Sequence, residues 1–370
     1  MNIIIAGDFV PQCRIKTKIE SGDYSSFDEV KPIIQTADYA IVNFESPVVE
    51  REARPIDKYG PNLNCDSKAL EAIKNIGFKC VTLANNHFLD YGEVGVNDTL
   101  KQCVKLGIDT VGGGHNLSEA ETVLYKVIQG KRLAIINVCE NEFSIATSNT
   151  AGSNPLNPVK QYYTIKEARQ KADRVLVIVH GGHEQFQFPS PRMVDTYRFF
   201  VDAGADAVIN HHQHCFSGFE VYHEKPIFYG LGNFCFDRKG QRNSIWNEGY
   251  MVSLDFSSEV PTYTIHPYSQ CNASPVIDLL PKNTFDNRLK ELNDIIANPT
   301  VLSNVVNKYY SDCGDSYSNI FEPIRNRYYL IAKHRGWLPS LISKKRVLNA
   351  INYVLCESHR DKLTYWLLNQ

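Results

Sequence analysis

The stretch GADAVINHHQH at residues 204–214 decides the fold class, because a short apolar run in it ends abruptly in polar side chains. Ala207–Ile209 have the composition of a strand buried on both faces, and His211, His212 and His214 follow it. Two residues apart on an extended segment, the side chains of His212 and His214 point to the same side. The pattern predicts an α/β sheet with a ligand site at the strand ends.

Six further apolar runs continue this pattern, and most of them also end in a polar cluster. They are Asn2–Ala6 before Gly7-Asp8, Tyr39–Val42 before Asn43-Phe44-Glu45, Lys79–Leu83 before Ala84-Asn85-Asn86-His87, Leu133–Val138, Val175–Val179 before His180, and Pro226–Tyr229 before Gly230-Leu231-Gly232-Asn233. Stretches with helical spacing, such as Ser67–Ile76 and Gly95–Leu106, separate them. The sequence therefore predicts an α/β fold.

The character of the chain changes after about residue 275. Asn283–Val306 and Asn319–Leu368 have helical spacing and lack strand-end polar clusters. We therefore expect two regions, an α/β domain over residues 1–275 and a mainly helical region over residues 276–370.

Composition argues against a disordered protein and against a membrane-spanning one. The 370 residues are 43% hydrophobic and 22% charged, and no apolar run reaches the roughly 18–20 residues that cross a bilayer. The N-terminus lacks a basic region before its apolar stretch, and the ten cysteines form no C-x-x-C pair, so we expect a cytoplasmic protein with reduced thiols.

The charge is spread unevenly along the chain. The net charge of −2 argues against nucleic acid as the main partner. Residues 321–370, however, hold nine Lys and Arg against three Asp and Glu. This basic region is either a solvated helix face or a surface that associates peripherally with a membrane or an anionic polymer.

Histidines are concentrated at two of the predicted strand ends. Five of the eleven, His180, His183, His211, His212 and His214, lie within 35 residues. Imidazole suits zinc, manganese and iron, and the carboxylates of Asp8 and Glu45 would supply negative charge. Each residue alone has an ordinary interpretation, as a turn, a helix cap or a solvated side chain. Their repeated occurrence at strand ends instead predicts a metal site.

The order of these clusters resembles the calcineurin-like metallophosphoesterase superfamily, and more closely its capsule-synthesis branch, the CapA/PgsA (PGA_cap) family. The resemblance covers roughly residues 1–255 and rests on these stretches: Ala6-Gly7-Asp8, Asn43-Phe44-Glu45-Ser46-Pro47, the segment from Leu83 to Gly92, His180-Gly181-Gly182-His183-Glu184, the segment from Gly204 to His214, and Gly230-Leu231-Gly232-Asn233-Phe234. The A-N-N-H-x-x-D-Y-G string and the H-x-H that follows G-A-D-A-V-I are its specific motifs.

The resemblance implies a four-layer α/β/β/α metallophosphoesterase-like sandwich with one or two divalent ions of manganese, zinc or iron. Asp8 and His214 would hold one ion and Asn86, His180 and His212 the second, with Glu45 between them. His87 would protonate the leaving oxygen or stabilise charge on the transferred group. Supporting or substrate-facing positions fall to Asn43, Asp90, Glu184, His211 and Asn233.

Three positions depart from the superfamily pattern. Asp8-Phe9-Val10 replaces the usual D-x-H, which would weaken the first metal position and leaves occupancy by one ion open. Glu45 stands where an aspartate is usual, and Gly181 where the branch has a tryptophan, so the pocket wall would be more open.

Two functions remain open at this point. The first is a metal-dependent hydrolase, of the phosphoesterase type, that acts on a small molecule or polymer in capsule or poly-γ-glutamate metabolism. The second is a non-catalytic, polymer-binding component of a membrane-associated capsule synthesis and export machine. His87 favours the enzyme, because binding alone needs no acid beside the metals. No phosphate-binding loop of the G-x-x-x-x-G-K-[ST] type supports an ATP-driven ligase.

Overall fold

A computed structural model describes residues 1–318, 322, 324, 326–355 and 367 of the chain. Its strands are β1 (Asn2–Val10), β2 (Tyr39–Phe44), β3 (Cys80–Thr82), β4 (Asp109–Val111), β5 (Gly113–Gly114), β6 (Leu124–Ile128), β7 (Lys131–Cys139), β8 (Gly152–Ser153), β9 (Arg174–His180), β10 (Ala207–His211), β11 (Phe219–Tyr222), β12 (Lys225–Phe228), β13 (Asn233–Phe236), β14 (Glu248–Asp255), β15 (Thr262–Gln270) and β16 (Ile277–Leu279). Its helices are α1 (Cys13–Glu20), α2 (Lys31–Gln35), α3 (Lys68–Ile76), α4 (Gly92–Leu106), α5 (Leu117–Ala120), α6 (Pro158–Lys171), α7 (Pro191–Ala203), α8 (Lys282–Ile296), α9 (Pro299–Ser318), α10 (Arg327–His334) and α11 (Lys344–Leu355).

Two sheets form the centre of the fold. The first has the order β16-β15-β14-β1-β2-β3-β4, with β13 also paired to β1, and the second has the order β11-β12-β10-β9-β7-β6. Strands β1 to β4 run parallel, as do β7, β9, β10 and β12. The carboxyl ends of the parallel strands in each sheet therefore lie at one edge of that sheet.

The apolar residues of β1 alternate between two cores. Ile3 and Ile5 belong to a core shared with Ile178 of the second sheet, whereas Ile4 belongs to a core shared with Leu70 of α3. Each isoleucine is fully buried, which stabilises the fold by about 1.5–3 kcal/mol a side chain. Helices α6 and α7 pack on the second sheet. The predicted α/β/β/α sandwich is thus confirmed.

All seven predicted strands are present, with bounds that shift by a few residues. β1 runs past Ala6 to Val10, so Asp8 lies within the strand. The antiparallel strands β14 and β15 were not predicted.

In the predicted helical region 276–370, the described residues form helices α8 to α11, strand β16 and connecting segments. The rest of the predicted stretch Asn319–Leu368 lies outside the described residues. Met1–Leu302 form one compact unit and Ser303–Gln370 a second. Compactness alone does not locate a functional boundary, and the division after residue 275 stays a prediction. No helix among the described residues is long and apolar enough to span a membrane.

Candidate metal centre

Strand pairing brings the predicted site residues into register. In the first sheet, Asp8 lies opposite Asn43 of β2 and Asn233 of β13. In the second sheet, His180 at the end of β9 lies opposite His211 of β10. His180 and His211 end their strands, Asp8 and Asn43 lie near the carboxyl ends of β1 and β2, and Asn233 begins β13. Residues that the sequence scatters over more than 200 positions therefore meet in one buried cluster.

Local backbone geometry completes the approach. A Cβ on Gly7 would lie 1.8 Å from the main-chain oxygen of Gly232, so only glycine allows β1 to come this close to the turn before β13. His212 and His214 adopt positive φ angles of 93° and 54°. Such strained backbone is typical of residues held in place at a functional site.

Two groups of three side chains have the geometry of metal ligands. The first consists of Glu45, His180 and His212, and the second of Asp8, Glu45 and His214. Within each group the ligand atoms lie within 4.8 Å of one another, and all members are buried. Glu45 belongs to both groups, and the family resemblance implies a position between the two ions for it.

Glu45 is the clearest sign that this cluster fits a cation. Its carboxylate is fully buried, and neither oxygen has a hydrogen-bond partner. Glu45 Oε1 lies 3.3 Å from His180 Nε2 and 3.9 Å from His214 Nε2. A buried carboxylate without partners is costly, whereas a divalent ion among these atoms would compensate both oxygens.

Asn86 lies beside the first group. Its Oδ1 is 3.1 Å from His180 Nε2, its Nδ2 donates to Glu142 Oε2 at 3.4 Å, and its main-chain oxygen accepts a hydrogen bond from Ser144 at 2.7 Å. The structure therefore brings the amide oxygen of Asn86 to the same side of His180 as Glu45.

Two asparagines lie within hydrogen-bonding distance of the proposed ligands. Asn43 Nδ2 donates to Asp8 Oδ1 at 2.7 Å and lies 3.2 Å from His180 Nδ1. Asn233 Oδ1 lies 2.8 Å from His214 Nδ1, and its amide donates to the main-chain oxygen of His214. A proton on His214 Nδ1 that points to Asn233 leaves Nε2 free for a metal, the usual arrangement around ligating imidazoles.

Burial and neighbouring charges shift the pKa values of the clustered side chains in different directions. Burial alone would raise the pKa of Asp8, but the hydrogen bond with His214 and the nearby imidazoles hold it well below its usual range. Burial and the charge of Asp8 raise the pKa of Glu45 well above its usual range. Burial and His212 lower the pKa of His180. Burial would also lower the pKa of His214, but Glu45 and Asp8 raise it to about 9. A divalent cation would relieve this conflict.

His87 stands apart from the two groups and has its own partners. Its Nδ1 lies 2.6 Å from Asp90 Oδ2, and its main-chain N–H donates to Asn85 Oδ1 at 3.1 Å. Burial lowers the pKa of His87, and Asp90 opposes that effect. The contact with Asp90 orients the ring through Nδ1.

Two predicted site residues lie outside these contacts. His211 is buried with its Nδ1 3.8 Å from Asp8 Oδ1, and neither ring nitrogen has a hydrogen-bond partner. Glu184 is exposed and acts on Glu45 and His214 only through its charge.

Sequence reasoning missed four residues that surround the site. Glu142 follows β7, so the strand-end pattern could have found it, and Asn85 lies within a motif that was already singled out. Trp246 packs on the His214 ring at 4.8 Å between centroids. Lys58 is buried against His87 and Asp90. No sequence pattern marks these last two.

Comparison with known proteins shows where the chain has relatives. Residues 2–238 match the family described as "Bacterial capsule synthesis protein PGA_cap". The "Capsule biosynthesis protein CapA" of Bacillus anthracis is 37% identical over 204 residues, 53% of this chain and 50% of that protein. The "PGA biosynthesis protein CapA" of Bacillus subtilis (strain 168) is 36% identical over 200 residues, 53% of this chain and 52% of that protein. The chain thus spans about half the length of the curated relatives it matches.

Among solved structures, a hypothetical protein from Thermus thermophilus aligns with a TM-score of 0.47 at 14% identity. The alignment covers 76% of this chain and 100% of that one.

Proposed function

The chain belongs to the PGA_cap family of bacterial capsule synthesis proteins, and from this premise we propose that it is a metal-dependent hydrolase of the phosphoesterase type. We further propose a role in capsule or poly-γ-glutamate metabolism. The observation that carries the proposal is the pair of ligand groups that share Glu45. A structural core has no need of an unpartnered carboxylate between two sets of imidazoles.

The metal ligands are proposed from these groups and from Asn86. Asp8 and His214 would hold one divalent ion, His180, His212 and Asn86 a second, and Glu45 both. The donor set is imidazole, carboxylate and amide without thiolate, which suits manganese, zinc or iron. When bound, two such ions polarise a phosphoryl or carbonyl oxygen and stabilise the negative charge that develops on it.

His87 would handle the proton of the leaving group. With the Nδ1 proton donated to Asp90, Nε2 is the nitrogen that remains for a departing oxygen, and it would deliver a proton from the imidazolium form, whose charge Asp90 offsets. A group that only bound metal would not require an oriented imidazole beside Asn86. This arrangement favours catalysis over binding alone.

An anionic substrate, a small molecule or a polymer, is supported by the surface next to the site. Exposed Arg238 and Lys239 follow β13, which carries Asn233. The Arg238 guanidinium lies 5.2 Å from the centre of the Trp246 ring, which itself packs on His214. Positive charge this close to the ligands would attract a substrate with several negative groups.

One observation favours the second function, a non-catalytic component that docks on a membrane-associated synthesis machine or on an anionic polymer. Helix α11 begins with Lys344-Lys345-Arg346, and its exposed apolar residues share one face: Val347, Leu348, Ile351 and Val354. A basic amphipathic helix of this kind is typical of peripheral association with anionic surfaces.

The test combines metal analysis with a substrate panel. Protein purified with added manganese, zinc or iron should contain up to two of these ions per chain, and it should hydrolyse a phosphomonoester, a phosphodiester or a γ-glutamyl substrate. His212→Ala should lose metal and hydrolysis together, while the surface variant His223→Ala should keep both. A fully metallated parent that hydrolyses none of the panel would favour the assembly component, and a parent that binds no transition metal would contradict the site.

A further inference from the structure

Lys58 lies in the irregular segment between β2 and α3, yet its ammonium group is buried beside the proposed acid. Its side chain is 3% exposed, and it forms an ion pair with Asp90 Oδ1. Its Nζ also lies 3.1 Å from His87 Nδ1. Lysine is rarely buried without a purpose, because taking the ammonium group out of water is costly unless it is paired.

The distances fix the direction of the hydrogen bonds. His87 Nδ1 and Asp90 Oδ2 are 2.6 Å apart, which requires a proton between them, since two lone pairs would otherwise face each other. His87 therefore donates from Nδ1, and Lys58 cannot donate to that nitrogen. Lys58 instead donates to the other oxygen of Asp90 and packs against the Nδ1 edge of the ring.

The segment that carries Lys58 is bound to Asp90 at two further points. Ile56 N–H donates to the main-chain oxygen of Asp90 at 2.9 Å, and Leu63 N–H donates to Asp90 Oδ2 at 2.6 Å. Leu63 also packs against the apolar cluster of Val10, Phe236 and Trp246, and Trp246 lies against the His214 ring. Residues 56–63 thus contact both the His87–Asp90 pair and the apolar cluster that contains Trp246.

We propose that Lys58 is a positioning residue that holds Asp90, and through it the His87 ring, with Nε2 directed to the leaving oxygen. The inference rests on the proposed function, because positioning His87 matters only if His87 delivers a proton to the leaving group. Lys58 itself does not reach the substrate, since its ammonium group is enclosed by Asp90 and His87.

The test uses Lys58→Met, Lys58→Arg and the surface control Lys74→Met, whose lysine donates only to the main-chain oxygen of Leu106. We expect Lys58→Met to keep its metal and to lose about 10–100-fold in kcat on an alkyl phosphoester, the usual cost of removing such an outer partner. On an activated aryl ester, which hardly needs protonation, kcat should change little. Lys58→Arg should recover most of the activity, and Lys74→Met should equal the parent.

A merely structural role would lower both substrates' rates equally, and that result would overturn the inference. A further loss of hydrolysis when Lys58→Met is added to His87→Ala would also overturn the inference. A residue that acts through His87 cannot affect the rate once the His87 imidazole is gone.

A second measurement needs no activity and separates this inference from the proposed function. Ring-nitrogen NMR of His87 at one fixed pH should show a proton on Nδ1 and a single ring environment in the parent and in Lys58→Arg, with an altered or heterogeneous environment in Lys58→Met. Identical His87 spectra in parent and Lys58→Met would overturn the inference even if the parent hydrolysed nothing. Loss of all hydrolysis in a metallated parent would overturn the proposed function alone.

Discussion

Removing the metals and raising the pH should destabilise this protein, and His214 should account for the loss. In the metal-free protein, burial disfavours a charged His214, but Glu45 and Asp8 outweigh burial and raise its pKa to about 9 from 6.5. A group whose pKa is raised on folding contributes stability that is complete below the unfolded pKa and is lost as the pH rises through the folded pKa. The loss should therefore occur between pH 6.5 and 9.

The magnitude follows from these two pKa values. Each pH unit between them is worth about 1.4 kcal/mol, so the free energy of unfolding should fall by about 3 kcal/mol across the window. Saturating metal should abolish the decline, because a metal binds the neutral imidazole and takes the place of the proton.

Urea denaturation of chelated protein at pH 6.5, 7.5, 8.5 and 9 measures this directly, with the pH values chosen to span the two pKa values of His214. His214→Gln should flatten the decline, whereas His223→Gln, whose parent side chain is 70% exposed, should reproduce the parent. If parent and His214→Gln lost the same free energy between pH 6.5 and 9, the electrostatic account of the site would be wrong.

Three further predictions test the ligands and the acid. Metal affinity, measured by titration calorimetry, should fall as the pH is lowered from about 9, the pKa of His214, because protons compete with the metal for this imidazole; a constant affinity would mean that His214 is not a ligand. Glu45→Gln should bind metal weakly in elemental analysis, because a neutral amide replaces the carboxylate that both ligand groups share; unchanged metal content would contradict its shared role. His87→Ala should retain metal but lose about 10²–10⁴-fold in hydrolysis of a substrate with a poor leaving group, while His212→Ala loses both; a parent-like rate in His87→Ala would exclude its role as an acid.

The sequence predicted the parts of the fold and site that depend on local pattern and strand parallelism. A run such as Asn2–Ala6 identifies a strand buried on both faces, and the polar residue after it must lie at the sheet edge where its parallel neighbours also end. Asp8 and Asn43 meet for this reason, whereas Asn233 begins β13 and reaches Asp8 through the pairing of β13 with β1. The ligand assignments within the cluster stay predictions, but the cluster itself followed from strand topology.

The sequence did not predict the features that depend on distant packing. Strands β14 and β15 pair antiparallel on the side of β1 away from β2 and carry no site residue, so their runs lacked the polar ends that marked the others. Glu184 follows His180 by only four residues, yet a turn leaves it exposed, because nearness in sequence does not fix side-chain direction in a loop.

Lys58 shows why residues that position other side chains are harder to predict from sequence than the metal ligands themselves. Metal ligands need imidazole or carboxylate at strand ends, and those residue types are conspicuous there. A positioning residue needs only to reach its partner, and Lys58 lies 29 positions from His87 in a polar segment without regular structure. In sequence, such a lysine is indistinguishable from a solvated one. Only the fold shows that its charge is buried and paired, and a buried, paired charge fixes the geometry of the groups around it.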